Sequence, residues 1–267
     1  MSVGKELPTN SIAVVISSCD RYSDLWKPFF QLFFRYWPDC PFPICLVANH
    51  SRYDDPRVTT ITVGDDHDWS SSFRRAISSI PSRYLIVLLE DYFLFAPVNT
   101  DKIVEYAQYM TARSAAFLQL YSILLRAAPT ADHPDIGPRD KGSLYRISLQ
   151  PAIWDKQALN TLLQDGESAW EFEAKGTVRS NSLDAAFLSL KPGVKSPIPV
   201  CNAASRGKLV RSAVLLCRRE KVALDLHARA RRTALQELYC VAYDRWGDFY
   251  LRHASTIASI RRWAGKR

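Results

Sequence analysis

The chain has 267 residues, 47% hydrophobic and 23% charged, with fifteen Pro, ten Gly and no short period, which excludes collagen-like, solenoid and disordered architectures and allows one large core. Its six cysteines form no CxxC and no Cys/His grouping at metal spacing, and neither a signal-type apolar stretch nor a run near the roughly 20 residues of a bilayer span is present. The net charge of +8 is uneven: residues 218–267 hold twelve Lys/Arg against five Asp/Glu, so residues 1–217 are nearly neutral.

These features predict a cytoplasmic protein with reduced thiols: a near-neutral domain over residues 1–214 and a basic helical extension over residues 215–267. Such a tail suits an anionic partner.

Residues 11–18 (SIAVVISS) are a continuous β-branched run without alternation, the pattern of a strand covered on both faces. A polar cluster follows, from Cys19 to Asp24, and residues 25–37 are predicted helical. Residues 41–49 and 58–63 read as two further strands. The acidic turn Gly64-Asp65-Asp66-His67-Asp68 leads into a helix in which Trp69, Phe73, Ala76, Ile77 and Ile80 share a face. Tyr84–Leu89 (YLIVLL) is the most apolar strand, and it stops at Glu90-Asp91-Tyr92.

A helix is expected over residues 101–113, a strand over 115–125, a Pro/Asp/Gly-rich loop over 127–142, a strand over 143–153 and a helix over 156–163. Residues 191–211 read as loop, and from residue 215 onward the composition is helical. Strands alternating with helices predict an α/β fold, an open, mostly parallel sheet whose ligands sit beyond the carboxyl ends of the strands. Those ends are polar and in part acidic: residues 17–21, Asn49, the turn carrying Asp66, and Glu90-Asp91.

No GxGxxG, GxxxxGK, GxSxG or HExxH occurs, so dinucleotide, P-loop, hydrolase and metalloprotease readings lose their fingerprints. Glu90 and Asp91 suit a hard cation, which takes one or two carboxylates plus substrate phosphates; turn acids are the plainer reading. Ser168-Ala169-Trp170-Glu171 satisfies the S-x-x-E capping box. The basic turn in residues 202–208 (NAASRGK) offers Arg206 and Lys208 to a phosphate, or simply to water.

The VVISSCDRY strand end, the W-x3-F-x2-A helix, the YLIVLL strand and its acidic pair together resemble the nucleotide-sugar half of GT-A glycosyltransferases. YRISLQPAIW (145–154) followed by LLQDGESAWEFE (162–173) is similar to segments of bacterial surface-polysaccharide glycosyltransferases of the lipopolysaccharide or capsule type. The resemblance spans roughly residues 12–208. It implies a GT-A-like sheet and a nucleotide-diphosphate sugar donor. Ser17, Asp20 and Arg21 would line the nucleotide site, and Mg²⁺ or Mn²⁺ would sit on Asp91 with Glu90 beside it. Glu-Asp-Tyr departs from a full Asp-x-Asp, so neutralisation of the diphosphate by basic side chains stays open.

An inverting transfer needs a general base for the acceptor hydroxyl. Glu167 is the expected base and Glu171, at the cap, its alternative, with Trp170 an acceptor-sugar platform or core. The acceptor would be a surface glycan or lipid-linked saccharide. The Lys/Arg and aromatic residues of the tail would hold the protein on the anionic inner membrane face as a peripheral protein. Two other classes remain: a nucleic-acid-binding module using the tail, for which no recognition motif exists, and a catalytically silent scaffold.

Overall fold

A computed structural model describes residues 11–65, 67–121, 132–233 and 236. The chain opens with β1 (Ile12–Ser17), a 3₁₀ turn (Asp20–Leu25) and α1 (Trp26–Tyr36), followed by β2 (Ile44–Ala48) and β3 (Val58–Thr62). Next come α2 (Trp69–Ser78), β4 (Tyr84–Leu89), β5 (Tyr92–Leu94), α3 (Thr100–Ala112) and β6 (Ala115–Gln119). The described chain resumes with β7 (Ile136–Pro138), β8 (Ala152–Asp155), α4 (Lys156–Leu162), α5 (Ala169–Arg179) and β9 (Ala186–Leu190). Three short strands, β10 (Val200–Asn202), β11 (Ala204–Ser205) and β12 (Lys208–Leu209), precede α6 (Arg211–Arg219).

Eight strands form one mixed sheet in the order β3-β2-β1-β4-β8-β6-β9-β7. Only β8 and β7 oppose the other six. The open, mostly parallel sheet flanked by helices is therefore what the sequence predicts. Successive β1 side chains feed two cores, as a doubly covered strand must. Ile12, Val14 and Ile16 pack with residues of α1, α3 and α6, whereas Ala13 and Val15 pack with those of α2, α4 and α5. The carboxyl ends of β1 to β4 consequently meet at one edge.

Where the structure departs from expectation, side chains have replaced the backbone ladder. Residues 143–151 are not a strand. The Leu149 N–H donates to Glu173, the Ile147 N–H to Thr177, and the Leu144 and Tyr145 carbonyls accept from Arg139. Tyr145 is left-handed (φ 49°), and β8 begins only after Pro151, which has no N–H to give a ladder. Within the segment read as loop, β7 pairs with β9. Within residues 191–211, β10 pairs with β5, and β11 with β12.

The expected boundary between residues 214 and 215 falls inside α6, whose Ala213, Val214, Leu216 and Cys217 are buried. Asp66 and, Gln236 apart, the tail beyond residue 233 lie outside the described residues. Among the described residues no helix is long and apolar enough to cross a membrane.

Candidate active site

A cleft of about 340 Å³ opens at the carboxyl edge of the sheet. Its floor is Ser17, Ser18 and Cys19 after β1 and Leu89, Glu90, Asp91 and Tyr92 after β4. Val47, Asn49, Val63, Trp69 and Phe73 close one side, Leu149, Ala169, Trp170 and Glu173 another, and Ser205, Arg206 and Gly207 a third. The position follows from the topology, because parallel strands leave their ligand crevice beyond their carboxyl ends.

Ser17 and Ser18 are fixed by two indoles, Trp69 Nε1 donating to Ser17 Oγ at 2.9 Å and Trp26 Nε1 to Ser18 Oγ at 2.8 Å. Asp20 is not in the cleft lining. Its carboxylate accepts from the backbone N–H groups of Asn49, His50 and Ser51 and from the Ser51 hydroxyl at 2.8 Å, stapling the end of β1 to the turn after β2. Burial opposes its ionisation, but these hydrogen bonds outweigh burial and hold the carboxyl below its usual range. Arg21 is exposed and also outside the lining; its carbonyl accepts from Arg229.

Glu90 and Asp91 carry the strongest electrostatic signal. Glu90 is only 8% exposed, and burial, helped by the Asp91 charge, pushes its carboxyl up to about 8. Burial likewise raises Asp91 to about 6. Asp91 Oδ1 is buried with no hydrogen-bond partner. Two adjacent carboxyls at the floor of a cleft, one of them with an unpartnered buried oxygen, are unfavourable unless a ligand compensates them.

Among the described residues no group of three or more His, Cys, Asp or Glu side chains is placed to hold a metal ion. The pair nonetheless fits Mg²⁺ or Mn²⁺, which needs only one or two carboxylates when phosphates and water complete its shell. Tyr92 lines the same floor, and burial together with the charges of Asp91, Glu173 and Glu90 raises its phenol, keeping it a neutral donor.

The reciprocal cap predicted from S-x-x-E is present: Glu171 N–H donates to Ser168 Oγ, and Ser168 N–H to Glu171 Oε2. Glu171 is exposed, pairs with Lys175 at 2.9 Å and is held at about 2, first by the Ser168 backbone bond. Glu167 lies outside the cleft lining, 4% exposed, with both oxygens on Arg179 at 2.7 and 2.6 Å.

Removing one partner of a buried pair strands the other. Because Arg179 is partly exposed and also bonds the Leu162 carbonyl, Glu167→Gln is expected to lower stability by about 1–3 kcal/mol in urea unfolding.

Glu173, two residues past Glu171 in α5, reaches the cleft. Gly176 makes this possible: a Cβ there would meet Ile147 Cδ1 at 2.7 Å. The helix thus approaches residues 147–149 closely enough for Glu173 Oε1 to accept the Leu149 N–H at 2.7 Å. Burial raises the Glu173 carboxyl. Trp170, 76% exposed, stands at the mouth on the same helix.

Arg206 and Gly207 both have positive φ (51° and 73°), so they form the two-residue turn that joins β11 to β12 with the right-handed strand twist. This turn puts Arg206 at the cleft, while Lys208 lies outside the lining.

Sequence reasoning missed Glu173, Tyr92 and Arg229. The first was accessible: in a helix starting at a Ser168 cap, residues 169, 172, 173 and 176 fall at i, i+3, i+4 and i+7, so Glu173 shares the inward stripe of the buried Phe172 and Gly176. Arg229 has no local signal at all.

No protein-family model and no curated protein matches the chain. Among solved structures it is similar to Staphylococcus aureus TarS 1-349 in complex with UDP-GlcNAc, at 11% identity and TM-score 0.47 over 73% of this chain and 59% of that one. It is similar to the mannosyltransferase PcManGT from Pyrobaculum calidifontis in complex with GDP-Man and Mn²⁺, at 10% identity and TM-score 0.47 over 74% of this chain and 58% of that one. A cytidylyltransferase from Leptospira borgpetersenii matches at 12% identity and TM-score 0.39 over 61% of this chain and 68% of that one. The chain thus spans under two thirds of the TarS and PcManGT structures. At these values the likeness bears on no residue of the cleft.

Proposed function

We propose that the chain is a GT-A-like glycosyltransferase that moves a sugar from a nucleotide-diphosphate donor to an acceptor hydroxyl. The observation that carries this reading is the Glu90-Asp91 pair at the end of β4, Glu90 buried and Asp91 half-buried with its Oδ1 buried and unpartnered, facing a cleft that Arg206 borders. Asp91, with Glu90 beside it, would hold Mg²⁺ or Mn²⁺, which when bound neutralises the diphosphate. Arg206 stabilises the charge that develops on the departing phosphate. Ser17 and Ser18, fixed by the indoles, and the apolar corner of Val47, Val63 and Phe73 receive the nucleoside.

Glu173 is the general base in this reading. It is the α5 carboxylate in the cleft, and Glu167 and Glu171 are committed to Arg179 and to the helix cap. An inverting direct displacement follows, with Tyr92 donating to the reacting groups and Trp170 stacking against the acceptor ring.

Thermal unfolding with UDP-, GDP-, CMP- and dTDP-sugars, with and without Mn²⁺, tests the donor assignment, since a ligand selective for the folded state raises the melting temperature. One of the UDP-, GDP- and dTDP-sugars is expected to do so and the CMP-sugar, which has no diphosphate, is not; no shift with any of those three at millimolar concentration rejects the reading.

The acceptor class is a surface glycan or lipid-linked saccharide, and the tail is the proposed contact with an anionic inner membrane face. Residues 244–267 contain six Lys/Arg and two Asp, net +4, and each surface cation contributes about 1 kcal/mol near anionic lipid. Deleting them is expected to cut co-flotation with phosphatidylserine vesicles at least about 100-fold, and salt should weaken the intact protein's binding. Equal flotation of both proteins rules out the membrane contact.

A further inference from the structure

Arg229 is 9% exposed although it follows α6 in a segment without helix or strand. Its guanidinium makes a bidentate pair with Asp24, at 2.7 and 2.8 Å, in the 3₁₀ turn after β1. It also donates to the Arg21 carbonyl at 2.8 Å and lies 4.1 Å above the ring of Tyr22, a cleft residue.

The residues immediately after Arg229 do something different. The Leu209 N–H donates to the Ala230 carbonyl at 2.9 Å, the Arg232 N–H donates to the Leu209 carbonyl at 3.1 Å, and Leu209 forms a parallel bridge with Arg231. Residues 230–232 therefore add an edge to the β11–β12 hairpin, whose turn carries Arg206 to the cleft.

A hairpin of two-residue strands is marginal by itself. We infer that Arg229 is a positioning residue: by fastening residues 229–232 to Asp24, it holds the β11–β12 hairpin, and with it Arg206, over the mouth of the cleft. The clamp joins the β1 side of the cleft to its roof through one side chain, whose charge also acts on Glu90 and Asp91 at the cleft floor. A carboxylate at residue 24 and a guanidinium at 229, 205 positions apart, are needed because only the planar fork satisfies both Asp24 oxygens and the Arg21 carbonyl.

The consequence for ligand binding rests on the donor reading above, whereas the consequence for the hairpin does not. The test uses full-length wild-type protein, Arg229→Lys, Arg229→Gln, Asp24→Asn and the Asp24→Asn/Arg229→Gln pair. Amide hydrogen exchange over residues 203–210 reports the clamp directly, and titration with UDP, GDP and dTDP in Mn²⁺ reports the site.

Exchange in residues 203–210 is expected to speed up at least about fivefold in every variant. Nucleotide affinity should weaken by a similar factor, and kcat should fall as well, because Arg206 acts on the charge that develops in the transition state. The double variant should be no worse than the singles, because the two groups act as one unit.

Unchanged exchange in Arg229→Gln and Asp24→Asn overturns the clamp. Faster exchange with undiminished nucleotide affinity overturns its role in positioning Arg206. A wild-type chain that binds none of the three nucleotides rejects the functional reading, and exchange alone then decides the clamp. If Arg229→Gln fails to fold, Arg229→Lys and Asp24→Asn decide between the same outcomes.

Discussion

Asp91→Ala is expected to abolish sugar transfer and the Mn²⁺-dependent part of nucleotide binding, without loss of stability. Activity is lost because Asp91 is the carboxylate with a free buried oxygen in the cleft. Stability is kept because that oxygen has no partner to lose, and its desolvation is already a cost of about 1 kcal/mol or more.

The pH dependence has a definite sign. A carboxyl raised in the folded state from 3.8 to about 6 weighs against folding once the unfolded chain ionises. Its removal should therefore stabilise the protein increasingly as pH rises from 4 to 6, and by a constant amount above that. Melting temperatures of both proteins across that range check it. A variant that still transfers at the wild-type rate, or that melts well below wild type at pH 7, contradicts the assignment. Activity gained at the expense of stability is the usual arrangement in a binding site.

Glu173→Gln is expected to lower turnover by about 10²–10⁴ while donor affinity stays within about twofold, because Gln keeps the shape and cannot take a proton. Burial raises this carboxyl above the usual 4.5. The base works when ionised, so wild-type kcat should climb as pH rises through a midpoint above that value, and this limb should vanish in the variant. Glu171→Gln, which can still close the capping box, is expected to lose little. A normal rate in Glu173→Gln beside an inactive Glu171→Gln moves the base to the cap.

The parts of this molecule legible in its sequence are those set by local pattern. The unbroken apolar runs of β1 and β4, the shared face of α2 and the S-x-x-E box of α5 each lie within a dozen residues. They fix the carboxyl edge of the sheet and hence the place of Glu90 and Asp91.

What escaped depends on distant partners. β7 and β10 are three residues each and exist because β9 and β5 offer them a ladder. Residues 143–151 have strand composition, yet buried Arg139 and the side chains of α5 take their backbone groups. Glu167 looks unemployed until Arg179, twelve residues on, is folded against it. The turn at Arg206-Gly207 offers a cation by its sequence, but nothing local says that residues 229–232 complete its edge.

Everything proposed for this cleft requires that Glu90-Asp91 and Arg206 enclose a nucleoside diphosphate. A crystal of the intact chain soaked with Mn²⁺ and the nucleoside diphosphate of the best-stabilising donor decides this, with anomalous scattering locating the metal. The diphosphate is expected between Asp91 and Arg206, with an anomalous peak at the Asp91 carboxylate and the base on the Val47–Phe73 side. Nucleotide bound elsewhere, or a cleft without it at a concentration that saturates the thermal shift, contradicts the assignment of this cleft to the donor.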